Sequence, residues 1–114
     1  MNNILVREDD LMFCKLVSNY LNKNGHQASQ ATDGASAKEQ LQRTEFDVAL
    51  VDYRLPDTNG IDLVRWIKEN TSVSNVIVMS RMLDEQLREE AQSLGVTTFL
   101  NKPFNPSELL ALLK

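Results

Sequence analysis

The sequence predicts an α/β domain: a doubly wound, five-stranded parallel sheet in the order 2-1-3-4-5. Three observations lead there. Short apolar runs alternate five times with stretches of helical periodicity, in units of roughly twenty residues. The strongest runs, Val48 to Val51 and Val76 to Met79, are continuously apolar, as in strands buried on both faces. Asn24-Gly25 and Gly95 stand just past helical stretches, where helices end. Alternating strand and helix implies helices on both faces, joined by right-handed crossovers. No linker or low-complexity segment interrupts the 114 residues, so residues 1–114 form one domain.

Ile4-Leu5-Val6 is the first strand, followed by Arg7 and three acids, Glu8-Asp9-Asp10. Phe13, Leu16, Val17, Tyr20 and Leu21 then recur at helical spacing, which predicts a helix over Leu11 to Lys23. Gln27 to Ala31 is polar enough for an edge strand. Asp33-Gly34 turns the chain into a short helix, Ala35 to Arg43, with Ala37 and Leu41 inward. The third strand delivers Asp52 and runs into a turn segment with Pro56, Asp57, Asn59 and Gly60. A helix from Gly60 to Asn70 buries Leu63, Val64 and Ile67. The fourth strand ends on Ser80, and Leu83, Leu87, Ala91 and Leu94 mark the next helix. Thr97 to Leu100 is the fifth strand, ending at Asn101-Lys102-Pro103. The last helix has a capping Asn105, Pro106 at its first position and Glu108 in a capping-box-like place. Leu109, Leu110 and Leu113 face inward from it.

Composition excludes several functions. Net charge is −4, with no stripe of Lys and Arg for nucleic acid or a membrane surface. A single cysteine, Cys14, permits neither an intramolecular disulfide nor a cysteine metal site. The apolar runs are too short to span a bilayer. The chain enters a strand almost at once, so no signal peptide is expected and the cytoplasm is the expected compartment.

In this topology ligands bind where the strand order reverses, at the carboxyl ends of strands one and three. Those ends are Glu8-Asp9-Asp10 and Asp52. The same edge carries Ser80 from strand four and Lys102 from strand five. Each residue has an ordinary explanation alone: acids favour helix starts, Asp52 can open a turn, Ser80 can end a strand, and Lys102 can be a surface charge. Four such residues at successive strand ends suggest a site. Converging carboxylates need a cation. Lys102 is one, and a hard divalent ion is another. Asp9 and Asp52, with Glu8 through water, suit Mg²⁺ or Mn²⁺ over Zn²⁺, since His26 stands alone. A carboxylate, a metal, a lysine and a hydroxyl together suit phosphoryl transfer, with the carboxylate as nucleophile.

The sequence resembles the response-regulator receiver domains of two-component signalling, which have a flavodoxin-like (βα)5 fold. The matching residues are Ile4-Leu5-Val6 with Glu8-Asp9, Asp52 with Leu55-Pro56 and Gly60, Val78-Met79-Ser80, and Phe99 through Phe104. The resemblance implies that Asp52 is the phosphoacceptor. It implies Mg²⁺ on Asp9, Asp52 and the backbone carbonyl of Arg54, with Glu8 through water. Lys102 would pair with the phosphoryl group, Ser80 and Phe99 would form the switch pair, and the Lys102-Pro103 bond would be cis. The implied partners are a histidine kinase or histidine phosphotransfer protein and a downstream output domain or protein. Leu11, at the start of the first helix, is the expected kinase anchor. A homodimer through the fourth helix, fifth strand and fifth helix is one available assembly. Such a domain catalyses only its own phosphorylation and dephosphorylation.

Three arginines depart from the family pattern. Arg7 replaces an aliphatic residue on the central strand, Arg54 follows the acceptor by two, and Arg81 follows Ser80 where a small residue is usual. Arg81 has two opposed expected effects: its bulk covers Asp52, the reading favoured because the family keeps this position small, or its charge attracts the anionic donor and pairs with the bound phosphoryl group. An aspartate-nucleophile hydrolase would usually carry a second Asp where Arg54 stands. A flavodoxin-like electron carrier would need Ser-, Thr- and Gly-rich phosphate loops. A pseudo-receiver, binding partners without phosphate, is the remaining alternative.

Overall fold

The computed structural model describes residues 1–53 and 60–113. Strand and helix alternate five times: β1 Asn3–Arg7, α1 Leu11–Lys23, β2 Gln27–Ala31, α2 Gly34–Arg43, β3 Val48–Asp52, α3 Gly60–Asn70, β4 Asn75–Ser80, α4 Glu85–Ser93, β5 Thr98–Asn101 and α5 Pro106–Ala111. The strands form one parallel sheet in the order β2-β1-β3-β4-β5, as the sequence predicts.

Period-two alternation along the strands sorts the core into two layers. Ile4, Val6, Val48, Leu50, Ile77 and Met79 pack with Cys14, Val17, Leu21, Leu109 and Leu113, placing α1 and α5 on one face. Leu5, Ala49, Val51, Val76 and Val78 pack with Ala37, Leu41, Leu63, Val64, Ile67, Leu87 and Ala91, placing α2, α3 and α4 on the other. Each fully buried Leu, Ile or Val contributes about 1.5–3 kcal/mol relative to exposure. This double layer holds the strand ends rigidly in register.

Asp10, Asp33, Asp84 and Asn105 cap α1, α2, α4 and α5, each side chain accepting from a backbone N–H in the first turn. Such caps contribute about 1 kcal/mol apiece. Asn105 accepts from Ser107 N–H, so the cap expected for the last helix is present.

Two packing expectations need correction. Leu16 was expected inside, yet it is exposed; the buried stripe of α1 is Cys14, Val17, Ser18 and Leu21. The true stripe is turned by about a quarter of a helical revolution from the one centred on Phe13 and Tyr20. Phe13 and Tyr20 flank it and are only half-buried. The small residues Cys14 and Ser18 let α1 approach the sheet, which hydrophobicity alone does not signal. Leu110 of α5 is likewise half-buried, whereas Leu109 and Leu113 are inside.

Candidate functional site

The parallel register brings the carboxyl ends of four strands to one edge. Arg7 lies opposite Val51, Asp52 opposite Met79, and Ser80 opposite Asn101. Glu8, Asp52, Ser80 and Lys102 therefore leave the sheet side by side. Backbone bonds continue the ladder past the strands: Glu8 N–H donates to Ala31 O at 3.0 Å, and Lys102 N–H to Ser80 O at 2.8 Å. Tyr53 N–H donates to Met79 O at 3.0 Å, which fixes the backbone just after Asp52.

The three acids after β1 divide their work. Glu8 is buried, Asp9 is exposed at the site, and Asp10 caps α1 through Phe13 N–H at 3.1 Å. The helix-start explanation holds for Asp10, while Glu8 and Asp9 lie with Asp52 on the cavity.

Lys102 is the hub. Its Nζ donates to Glu8 Oε1 and, at 2.9 Å, to Asp52 Oδ2. It also lies 4.9 Å from the centroid of the Phe13 ring, a cation–π distance. Burial raises the Glu8 pKa to about 7; the Lys102 and Asp10 N–H bonds pull it back, and the Asp52 charge adds to the rise. Burial alone would lower the Lys102 pKa, but its bonds to Glu8 and Asp52 outweigh that and hold it above its usual value. Carboxylate oxygens of Glu8, Asp9 and Asp52 all lie within 4.8 Å of one another. Hard oxygen donors so close together, with Asp9 open to solvent, fit a Mg²⁺-sized ion that keeps several waters.

These groups line a cavity of about 590 Å³, together with Phe13 and Arg81. Asp52 is 6% exposed, so a reactant reaches it through this cavity. Gly60 is required beside it. Its N–H donates to Tyr53 O at 2.7 Å, and a Cβ there would sit 2.5 Å from Asp52 O.

Ser80 is not brought into the cavity. Its hydroxyl donates to Met82 O at 3.2 Å and accepts from Met82 N–H at 3.1 Å. Phe99 is half-buried on the α2–α3–α4 face, with the Arg88 guanidinium carbon 5.1 Å from its ring centroid. The Lys102-Pro103 bond is cis. Arg7 is wholly buried at the end of β1. Arg54, with Leu55 and Pro56, lies outside the described residues, and so does its expected role as a ligand. Phe13 was read from the sequence only as a core residue; its aromatic type and its place three residues after Asp10 were the available signals.

Comparison with known proteins decides the family. Residues 4–114 match the family described as the response regulator receiver domain. The chain belongs to the response-regulator receiver family. GltR, a transcriptional regulatory protein of Pseudomonas aeruginosa, is 34% identical over 98% of this chain and 47% of its own length. PhoB, the phosphate regulon transcriptional regulatory protein of Escherichia coli, is 32% identical over 97% of this chain and 49% of its own. The chain thus spans about half the length of these relatives. The structure of the chemotaxis protein CheY4 of Vibrio cholerae superposes with a TM-score of 0.94 at 27% identity, covering 99% of this chain and 96% of that one. Receiver domains are phosphoryl-accepting switches of two-component systems, and this chain has that role. The family binds Mg²⁺ at an acidic pocket, and the chain carries an acidic cluster of Glu8, Asp9 and Asp52. No helix among the described residues is long and apolar enough to cross a membrane.

Proposed function

We propose that residues 1–114 act as a single receiver domain in which Asp52 takes the phosphoryl group from a histidine kinase or histidine phosphotransfer protein. The observation that carries this reading is the Lys102 ammonium shared between Glu8 and Asp52 at the floor of the cavity. An Asp52 carboxylate oxygen attacks phosphorus, the bond from phosphorus to the donor's imidazole nitrogen breaks, and the nitrogen keeps the electron pair. The product is an acyl phosphate. Lys102 remains beside the acceptor and offsets charge on the transferring oxygens. Asp9 and Asp52, with Glu8 through water and the Arg54 carbonyl, would hold Mg²⁺ or Mn²⁺. When bound, that ion supplies charge neutralisation at the phosphoryl oxygens. Hydrolysis of the acyl phosphate returns Asp52, so the domain acts only on itself.

The exposed start of α1, with Leu11, Met12 and Leu16, is the proposed docking surface for the phospho-donor protein. Ser80 and Phe99 pass the change to the α4–β5–α5 face, where an output domain, a target or a second copy is met. The named relatives are transcriptional regulators, which makes gene control the proposed class of output, in the cytoplasm.

Incubation with Mg²⁺ and acetyl phosphate, followed by intact-mass measurement, tests the acceptor. One phosphoryl group should add to the wild type and none to Asp52→Asn. Chelation of the metal should abolish the gain. A gain that survives Asp52→Asn assigns the acceptor elsewhere.

A further inference from the structure

Among the described residues, carboxylates outnumber cations in the lining of the cavity above Asp52. Glu8, Asp9, Asp10 and Asp52 all line it. Lys102 is the cation at its floor, and its Nζ is already engaged by Glu8 and Asp52. An incoming phosphoryl group brings further negative charge. Among the described residues, the other cation lining the cavity is Arg81, the residue directly after β4. It is exposed, and no hydrogen bond or ion pair of its side chain is seen among the described residues.

We propose that Arg81 is the phosphoryl-recognition residue of this receiver, its guanidinium gripping the anionic donor and then the bound phosphoryl oxygens. This rests on the cavity being the phosphoryl-transfer site. A guanidinium presents a planar fork of N–H donors that matches two oxygens of one phosphoryl group, which an ammonium cannot do. Arg81 directly follows β4, the strand next to β3, and is exposed at the rim, whereas Lys102 works from the floor. The sequence left both steric cover, the favoured reading, and charge attraction open for this side chain. A cavity of about 590 Å³ remains with Arg81 among its lining, so its bulk does not close the site and leaves its charge free to act on a bound anion.

The two effects separate by salt and by direction. Attraction at a solvated rim fades as ionic strength rises, whereas cover does not. Labelling by acetyl phosphate with Mg²⁺ is timed by intact mass at low and high ionic strength for wild type, Arg81→Ala and Arg81→Lys. Arg81→Ala should label about three- to tenfold more slowly at low salt, the loss of a partly solvated charge contact. The gap should narrow at high salt, and Arg81→Lys should recover part of it. The phosphorylated form of Arg81→Ala should also lose its label faster. Faster labelling of Arg81→Ala at every salt would mean cover, and identical rates would mean a bystander; either overturns the proposal. Failure of the acceptor assignment looks different, since labelling would then be absent from the wild type or would persist in Asp52→Asn. In that case the Arg81 Nε–H resonance, followed by NMR during titration with inorganic phosphate and Mg²⁺, still decides. Movement that weakens with salt supports the contact, and a stationary resonance overturns it.

Discussion

Lys102 Nζ lies 2.9 Å from Asp52 Oδ2 while also donating to Glu8, so one ammonium holds two carboxylates from different strands. This bridge ties β5 to β1 and β3 across the site. Lys102→Met should break it and leave two poorly solvated carboxylates without a cation. Glu8 can respond by taking a proton, since its pKa is already about 7, which limits the loss. A destabilisation of about 1–3 kcal/mol is expected in urea unfolding of the metal-free protein at neutral pH. The same substitution should raise Mg²⁺ affinity, because the lysine charge repels the metal, and should slow phosphoryl labelling about tenfold or more. An unchanged unfolding midpoint would show that the bridge is energetically idle.

Glu8 links stability to pH. Its pKa moves from 4.5 to about 7 on folding, chiefly because burial disfavours the charged carboxylate. Between those values the folded state keeps a proton that the unfolded chain has released. The Glu8 contribution is therefore full below about 4.5, shrinks as pH rises, and is lost once pH passes about 7. Thermal unfolding in the presence of a chelator should show the wild type falling relative to Glu8→Gln across that window. Parallel curves for the two proteins would remove Glu8 as the source. A metal competes with the same proton, so Mg²⁺ affinity should climb over the same range.

Asp9 is the exposed member of the acid cluster, and it makes no contact with Lys102 among the described residues. Asp9→Ala should abolish saturable Mg²⁺ binding followed by fluorescence or NMR. It should also leave the metal-free fold intact or slightly firmer, since one of three crowded carboxylates is gone. Mg²⁺ affinity unaffected by Asp9→Ala would move the ion away from this cluster.

How far the sequence reached depends on what kind of signal each residue leaves. All ten elements were readable because continuous apolar runs and helical periodicity are strong local patterns, whereas the strand order followed from the doubly wound fold that their alternation and the receiver resemblance imply. Asp52 and Lys102 were readable because topology places strand ends together without any knowledge of side-chain contacts. The face of α1 was misjudged because Cys14 and Ser18 count for little in a hydrophobicity pattern, although their small size is what lets the helix pack. The sharing of Lys102 between Glu8 and Asp52 could not be read, since it depends on the depth of Glu8 in the site. Nor could the direction of the Ser80 hydroxyl, because a serine at a strand end can bond its own loop as readily as a ligand. Arg7 was flagged as anomalous, and its complete burial shows why: the central strand has no solvent-facing side at that position.

Gly60 should tolerate no side chain. Its ideal Cβ position falls 2.5 Å from Asp52 O and 2.6 Å from Tyr53 Cα, both backbone atoms that cannot swing aside. Gly60→Ala should push α3 away from the end of β3 at a cost of about 1–3 kcal/mol. Because the displaced backbone carries Asp52, labelling by acetyl phosphate should slow as well. A stable variant that labels at the wild-type rate would show that α3 can shift without moving the acceptor.

Besides the packing of the Phe99 ring on the α2–α3–α4 face, Ser80 and Phe99 are held by separate, weak side-chain contacts, and that weakness makes a switch feasible. The Ser80 hydroxyl exchanges two hydrogen bonds with Met82, at 3.2 and 3.1 Å. Each contributes about 0.5–1.5 kcal/mol net. The Arg88–Phe99 contact at 5.1 Å, partly exposed, adds about 0.5–1 kcal/mol. A phosphoryl group on Asp52 that attracts the Ser80 hydroxyl must break the Met82 pair, which frees the loop leading into α4. Phe99 can then leave Arg88 and move toward the space vacated. The hydrogen bonds and cation–π contact of the resting arrangement thus amount to only a few kcal/mol, within reach of a local charge change. Beryllofluoride with Mg²⁺ should shift the NMR signals of Met82 N–H, Arg88 and Phe99 together. Ser80→Ala should still label on Asp52, yet the Phe99 response should be lost. Arg88→Ala should do the opposite, drawing the unphosphorylated Phe99 signals part of the way toward the activated positions. Phe99 signals that ignore both substitutions would mean that the ring moves independently of Ser80, and the coupling would have to run through another contact.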